Sequence, residues 1–487
     1  MEYNIITSIN SFNIIGINNK LIVTCKEDLQ YFKKLTTTVY PETKDSQNIL
    51  IMGYNTWLSM NSTPLPNRIS IVITKNHSDM IQESENVKVF KGLDDMFTWT
   101  QENVCGRLFV IGGGKLFSHC METYPDYLNR LYITEFYSNF ISRRPESIIF
   151  EKYPNYYTDF PIVKKTSSES MGKEYNYRLD KYEDNELKYH FIMRQNPKYM
   201  NQEENQYITY LQNILKDGCS VTSRNSDVMN QFGIKMEFNL QTHFPLITTK
   251  KMPFKTILRE LLWFIRGSTN NKELQDKNVH IWDQNGSKEF LKSRGLDYNE
   301  GDLGPIYGFQ WRHNGATYDD CYQDYTGKGV DQLQYVIDEI RNNPSSRRII
   351  MSAWNPSDIP KMALPPCHIL IQFYVNQDKN ELDAQMYQRS GDMFLGVPFN
   401  IASYSILIYI IANMTGYKPG RFIHIIGDAH IYQAHMEAVK EQIEREALLF
   451  PCLRITETIQ DINKIDESIF ILEKYTSQPK ISAPMIA

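Results

Sequence analysis

The stretch from 195 to 206, QNPKYMNQEENQ, constrains the fold most, because it is polar, carries Pro197, and separates two different residue patterns. Before it, the apolar runs Asn48–Met52, Ile69–Thr74, Leu108–Ile111 and Arg130–Thr134 are short and bounded by turn or polar residues. Helical patterns such as Lys26–Leu35 lie between them. That alternation predicts an α/β domain with a mainly parallel, twisted sheet and crossover helices. Lys188–Arg194 (KYHFIMR) alternates and predicts its last strand. After the divide, Thr256–Arg266 (TILRELLWFIR) predicts an amphipathic helix stopped by Gly267. Ile369–Tyr374 reads as a strand, Ile401–Met414 as a buried helix, and Thr317–Val330 as a polar surface insertion. With 487 residues the chain exceeds one ordinary core. The boundaries expected are a first domain at 1–195, a linker at 196–204 and a second domain at 205–487.

The net charge of -5 offers no basic field for nucleic acid, so a site for an anion must gather positive charge locally. No basic-plus-apolar N-terminal stretch resembles a signal peptide. The apolar run Ser403–Met414 is too short to span a bilayer. The seven cysteines form no CxxC pair and have no histidines at metal spacing. That pattern argues for a reducing compartment, hence a cytoplasmic protein, and against a disulfide frame or a metal site.

One cysteine stands out. Cys367 follows Pro365-Pro366 and opens a β-rich run, ALPPCHILIQFY. A lone cysteine is usually inert and buried. A base at His368 is the obvious functional reading, but neighbours on a strand point to opposite faces. Arginines are the better source of a lowered thiol pKa. Arg224 (VTSRNS), Arg347-Arg348 (SSRRIIMSAWN) and Arg389 (MYQRSGDMF) are available, and guanidinium forks also match phosphate oxygens.

From about Asn205 onward the chain resembles thymidylate synthase. The carriers are FPLITTKKMPFKTILRELLWFIRGSTN, IWD, GDLGPIYGFQWR, SRRIIMSAWNP, ALPPCH, YQRSGDMFLGVPFNIASY and HIIGDAHIYQAH, in the family's order. The resemblance implies an α+β domain that forms a homodimer through its sheet. It places Cys367 as the thiolate that attacks C6 of dUMP. Arg224, Arg389, Arg347 and Arg348 would hold the phosphate, the last two reaching the partner subunit's site, with Ser390 assisting. Asn400 would read the uracil edge, and His430 and Tyr432 the ribose hydroxyl. His368, Gln388 and Asp392 complete the dUMP side, and Tyr307 lines the site. Glu260 (RELLWF) matches the acid/base residue; its neighbours Leu261, Leu262 and Trp263 argue against an ordinary surface glutamate. Trp282, Asp283, Asp392 and Ala487 match the folate side, and the tail APMIA ends where the family closes over its ligands. The co-substrate implied is 5,10-methylenetetrahydrofolate, and no metal.

The first part resembles dihydrofolate reductase, through YNIITSINSFNIIGINNKLIV, EDLQYFKKLT, ILIMGYNTWLSM, LPNRISIVIT, RLFVIGGGKLF and LYITEF. Asp28 falls on the family's acidic residue, Thr134 on the residue supporting it, and Arg68 on the arginine that pairs with the folate glutamate. Taken alone, Asp28 reads as a helix-start carboxylate stabilised by the dipole. Gly112-Gly113-Gly114 follows a strand run and precedes a helix, a turn suited to a pyrophosphate. Gly16, Gly53 and Thr56 fall on further cofactor positions, and the cofactor implied is NADPH. Two departures bear on this. The family's Leu-Pro-Trp stretch is Leu21-Ile22-Val23 here, and the basic residue after Gly53 is Tyr54, with Lys75 available nearby. The expected protein is a bifunctional reductase–synthase. The alternatives are a synthase with a reductase-like structural module, and a nucleic-acid binder, which the charge disfavours. No membrane partner is expected.

Overall fold

The computed structural model describes residues 2–18, 20–39, 46–103, 106–137, 147–150, 153, 160–176, 181–222 and 226–486. The chain forms two compact units, Met1–Met200 and Asn201–Ala487.

The strands of the first unit are β1 (Tyr3–Asn10), β2 (Ile14–Ile17), β3 (Lys20–Leu21), β4 (Val23–Thr24), β5 (Asn48–Gly53), β6 (Arg68–Ile73), β7 (Val87–Phe90), β8 (Leu108–Gly112), β9 (Leu128–Tyr137), β10 (Ser147–Ile149), β11 (Ile162–Asn176) and β12 (Lys181–Gln195). Its helices are α1 (Lys26–Thr37), α2 (Tyr54–Ser59), α3 (Leu93–Glu102) and α4 (Gly114–Thr123). The main sheet has the order β4-β11-β12-β9-β1-β8-β5-β6-β7, and β10-β2-β3 forms a small second sheet. From β9 to β7 the neighbours run parallel. Period-2 alternation splits their side chains between two cores. Ile49, Ile51 and Val110 enter one, and Leu50, Met52 and Phe109 the other. The sheet is mixed rather than parallel throughout, because β11 and β12 add an antiparallel hairpin. Only part of β12 shows in the sequence. Most of β11 faces water, so its side chains form no apolar run.

The second unit carries β13 (Cys219–Thr222), β14 (Asp227–Asn239), β15 (Ile350–Ser352), β16 (His368–Asn376), β17 (Glu381–Asp392) and β18 (Lys418–Tyr432) in the order β13-β14-β18-β17-β16-β15. A two-stranded ribbon, β19 (Cys452–Ile455) with β20 (Phe470–Glu473), stands apart. Its helices are α5 (Gln202–Asp217), α6 (Phe254–Ile265), α7 (Lys272–Gln275), α8 (Lys288–Ser293), α9 (Tyr307–His313), α10 (Gln332–Asn342), α11 (Gly396–Thr415) and α12 (Met436–Ile443). Helix α6 ends at Gly267, whose φ of +75° suits glycine.

Two expectations change. The stretch 196–204 is structured rather than a free linker. Pro197–Tyr199 forms a 3-10 turn capped by the Asn196 side chain, and Asn201 caps α5 by accepting from the Glu204 N–H at 3.0 Å. The polar residues that read as a linker are capping chemistry. Helix α11, at 20 residues, is long and apolar enough to cross a membrane, and 78% of its most apolar window is buried inside the protein. Burial among the other elements of the unit accounts for its composition.

Candidate active sites

In the second unit, Cys367 lies at the entry to β16. Its backbone N–H donates to the Tyr307 hydroxyl at 2.7 Å. Arg389, on β17, bonds to the same segment. Its Nε donates to the Pro366 carbonyl at 2.8 Å and its Nη2 to that of Pro365 at 3.1 Å, leaving Nη2 3.9 Å from Cys367 Sγ. The Trp354 ring lies 5.6 Å from the guanidinium. The two prolines thus orient the arginine through carbonyls that have no strand partner to satisfy. Burial pushes the Cys367 thiol up, and the Arg389 charge and Tyr307 hydroxyl pull it back only in part. This corrects the expectation that arginines lower it outright: among the described residues one guanidinium reaches the sulfur, and desolvation wins.

His368 is not a base for this thiol. Its ring stacks on Tyr307 at 4.2 Å and its Nδ1 meets the Tyr404 hydroxyl at 2.6 Å. Burial drives its pKa down to about 3, so the ring is neutral. Gln388 stands opposite it in the β16–β17 register. The Gln388 amide donates to the Asn400 carbonyl oxygen at 3.0 Å and to Ser390 O at 2.9 Å, while its own oxygen meets His424 Nε2 at 2.8 Å. His424, also held neutral by burial near pKa 3, must therefore donate, which fixes both amides in turn.

Glu260 sits on α6, and the Trp282 indole N–H donates to its Oε1 at 2.8 Å. Burial raises the carboxyl to about 7. Trp282 packs edge-on against Phe264 and Tyr307. Asp283 accepts from Asn271 at 3.0 Å and Gln275 at 2.9 Å, with His280 at 2.9 Å. Burial opposes its charge, yet these donors hold its pKa below the usual range. At the end of β17, Asp392 accepts from the Phe394 N–H at 2.9 Å and pairs in register with His430, whose Nδ1 lies 3.2 Å from Asp428. Tyr432 closes β18, its ring edge-on to His430.

Arg347 and Arg348 do not join this cluster. Both are exposed ahead of β15, whose first residue, Ile350, stands opposite Gln372 on β16, roughly 16 Å along the strand from Cys367. Arg224 and Ala487 lie outside the described residues. Sequence reasoning missed Lys250, Tyr404, His424 and His435. Lys250 is buried, bonded to Phe394 O and 3.6 Å above that residue's ring. Burial lowers its pKa to about 7 against the pull of Asp392 and Glu204. It stands in TTKK and the histidines in HIIGDAHIYQAH, so the signal was present without a partner to interpret it.

In the first unit, Asp28 lies in the first turn of α1, and Thr134 on β9 donates to its Oδ1 at 2.6 Å. Burial raises this carboxyl, with the Thr134 hydroxyl pulling the other way. Two turns further along α1, about 12 Å away, Thr36 Oγ1 accepts from Arg68 Nη1 at 2.8 Å. The Arg68 Nε donates to Pro66 O at 3.0 Å, and burial lowers its pKa. A half-buried acid and a buried cation thus stand near opposite ends of one helix. Gly53, Thr56, Gly112 and Gly113 meet at the C-terminal ends of β5 and β8. A Cβ on Gly112 would lie 2.8 Å from Thr56 Oγ1, and one on Gly53 4.0 Å from Gly112 O. Gly114 and Gly16 both approach β10, at Ile149 and Ile148. Ile22 and Val23 are buried and Leu21 is half exposed. The Tyr54 ring stacks on His77 at 4.2 Å, beside exposed Lys75.

The thymidylate synthase family model matches residues 205–487, and the dihydrofolate reductase model matches residues 2–184. A bifunctional dihydrofolate reductase-thymidylate synthase of Zea mays is 41% identical over 484 residues, covering 94% of this chain and 92% of that protein. One from Paramecium tetraurelia is 42% identical over 480 residues, covering 97% and 96%. Human thymidylate synthase is 55% identical over 284 residues, covering 58% of this chain and 90% of the human protein. The chain belongs to the bifunctional dihydrofolate reductase–thymidylate synthase family.

Proposed function

We propose that the second unit converts dUMP to dTMP through a covalent adduct at Cys367. The observation that carries this is the pairing of the Cys367 thiol with Arg389 at 3.9 Å, in a unit whose half-buried Glu260 has its pKa raised to about 7. The thiolate adds to C6 of the uracil, and the electron pair moves to C5. C5 then attacks the methylene carbon of 5,10-methylenetetrahydrofolate. Loss of the C5 proton expels tetrahydrofolate, which returns a hydride to the methylene group as the thiolate leaves. The products are dTMP and dihydrofolate. A carboxyl near pKa 7 can both give and take protons at working pH, which suits Glu260 for relaying them.

Arg389 is the charge that favours the Cys367 thiolate and also the guanidinium that a phosphate would meet, so the nucleotide's phosphate and the ionisation of the thiol share one residue. Gln388, fixed by His424, holds the Asn400 carbonyl, which leaves the Asn400 NH2 to donate to the pyrimidine. Ser390, His430 and Tyr432 serve the phosphate and ribose. Trp282, Asp283 and Asp392 serve the folate. Arg224 and Ala487 are carried over from the family pattern.

The first unit reduces dihydrofolate. Asp28 meets the pterin and supports its protonation at N5, while Arg68 takes the glutamate carboxylate; an elongated folate runs along α1 between them. NADPH supplies the hydride when bound. Gly53, Thr56, Gly112 and Gly113 fit its pyrophosphate, because a Cβ at Gly112 would close the approach. Gly16 and Gly114 back the same region through β10. The relatives named as bifunctional match across both units, which disfavours a merely structural first unit.

The protein works as a homodimer through the sheet of its second unit. Phe232, Leu370 and Tyr374 are exposed large apolar residues on its strands. The partner's copy of the Arg347-Arg348 turn would complete the phosphate site. The deciding test is a 5-fluoro-dUMP adduct stable to denaturation: it should form in the wild type, and its persistence in Cys367→Ala would sink the mechanism. NADPH-dependent loss of dihydrofolate absorbance, absent in Asp28→Asn, tests the other half.

A further inference from the structure

After β20 the chain runs on as an extended tail pinned at successive points. The Tyr475 hydroxyl donates to Ile247 O at 2.9 Å and the Gln478 N–H to Thr248 O at 2.7 Å. Arg445 bonds to Pro479 O, and the Ile481 side chain is buried in the core. The tail's outermost tie is a different kind of contact. His435, fully buried just ahead of α12, meets the Pro484 carbonyl through Nε2 at 2.8 Å. Its other nitrogen, Nδ1, faces Asp392 Oδ1 at 3.5 Å. One imidazole therefore touches the end of β17 on one side and the tail on the other. Beyond Pro484, Met485 is exposed.

We propose that His435 is a positioning residue that couples Asp392 to the tail, so that filling the folate side and closing the tail become one event. This rests on reading Asp392 as a folate-side residue. Both contacts need the ring to donate, which makes the imidazolium the coupled form. Burial opposes that charge, and Asp392 together with the Pro484 carbonyl outweighs it, raising the pKa above its ordinary value. The other groups facing the ring are Lys250, whose charge works against it, and the Phe394 and Tyr432 rings at 5.4 Å each. When a ligand donor engages Asp392, the Nδ1 contact and the ring's orientation change together. A rigid five-membered ring passes that change to the Pro484 carbonyl without an intervening rotatable bond. The 3.5 Å separation at Nδ1 is slack that closure would take up.

The two arms can be separated by substitution. His435→Gln places an amide NH2 near the Nε2 position and keeps the donor to Pro484. His435→Asn places one near Nδ1 and keeps the donor to Asp392. Limited carboxypeptidase A digestion of the full-length protein, followed by mass spectrometry, reads tail release directly. It would be run free and with 5-fluoro-dUMP plus methylenetetrahydrofolate.

His435→Asn should speed trimming by roughly tenfold to a hundredfold, the range one charge-assisted hydrogen bond supports. His435→Gln should trim like the wild type when free but lose the slowing that the ligands confer. Both should raise the KM for methylenetetrahydrofolate while leaving dUMP affinity within about twofold, the latter showing that the fold survives. Trimming of His435→Asn at the wild-type rate, with dUMP affinity intact, overturns the proposal. Equal ligand protection in His435→Gln and wild type overturns the coupling. Asp392→Asn separates the premises: an unchanged KM for methylenetetrahydrofolate would defeat the folate-side reading, while the free-protein trimming rates still judge the tie to Pro484.

Discussion

At Glu260 the chain surrounds a carboxyl with Leu261, Leu262 and Trp263, and the fold sets the Trp282 indole against it. Its pKa of about 7 has a cost whose sign is definite. Between pH 4.5 and 7 the folded protein holds a proton that the unfolded chain has released, so stability falls as pH rises through that window. Glu260→Gln removes this penalty. It should abolish most synthase activity, on the order of 100-fold or more, yet raise stability above pH 7 by up to about 3 kcal/mol. Denaturant melts of both proteins at pH 5 and pH 8 check this; an equal difference at the two values would refute it. In the first unit the Thr134 hydroxyl stabilises the Asp28 carboxylate. Thr134→Val should move the reductase pH profile upward, seen in initial rates across pH. At this scale Cys367, Glu260 and Asp28 were legible because each stands in a distinctive motif. His424 and His435 were not, because their partners Gln388, Asp392 and Pro484 are far away in the sequence.

Elements show the opposite balance. The parallel strands of the first unit were visible as apolar runs, since both of their faces are buried. Strand β11 was hidden because burial leaves little mark on it. The polar stretch at 196–204 misled for a related reason: a capping asparagine and a linker asparagine look alike until the cap closes. Asn201→Ala should cost about 1–2 kcal/mol, measured by chemical denaturation, because it strips the α5 cap and the bond to Leu448 O. The turn between β8 and α4 invites a sharper test. Gly112→Ala places a methyl 2.8 Å from Thr56 Oγ1 at a φ of +155°. It should weaken NADPH binding at least tenfold by titration and leave dUMP adduct formation unchanged.

Over the whole molecule, the division into units predicts separable activities: Asp28→Asn should silence the reductase and spare the synthase, and Cys367→Ala the reverse. The dimer reading is tested on the exposed face of the second unit's sheet, where Tyr374→Glu should shift sedimentation toward the monomer and lower synthase activity with it. The dimer reading comes only from family likeness, since an exposed tyrosine in a sequence looks like any other. The same likeness brought Arg347 and Arg348 into the site, and within one chain they stand well away from Cys367.

Helix α11 sets a demand on how the protein is made. While it is being synthesised, Gly396–Thr415 leaves the ribosome as an uncharged apolar stretch, and β18, against which it packs, has not yet been translated. A chain halted at that point exposes a segment with the length and oiliness that membrane-targeting factors and chaperones bind. Only once translation passes Tyr432, which completes β18, is every strand that buries this helix available to cover it.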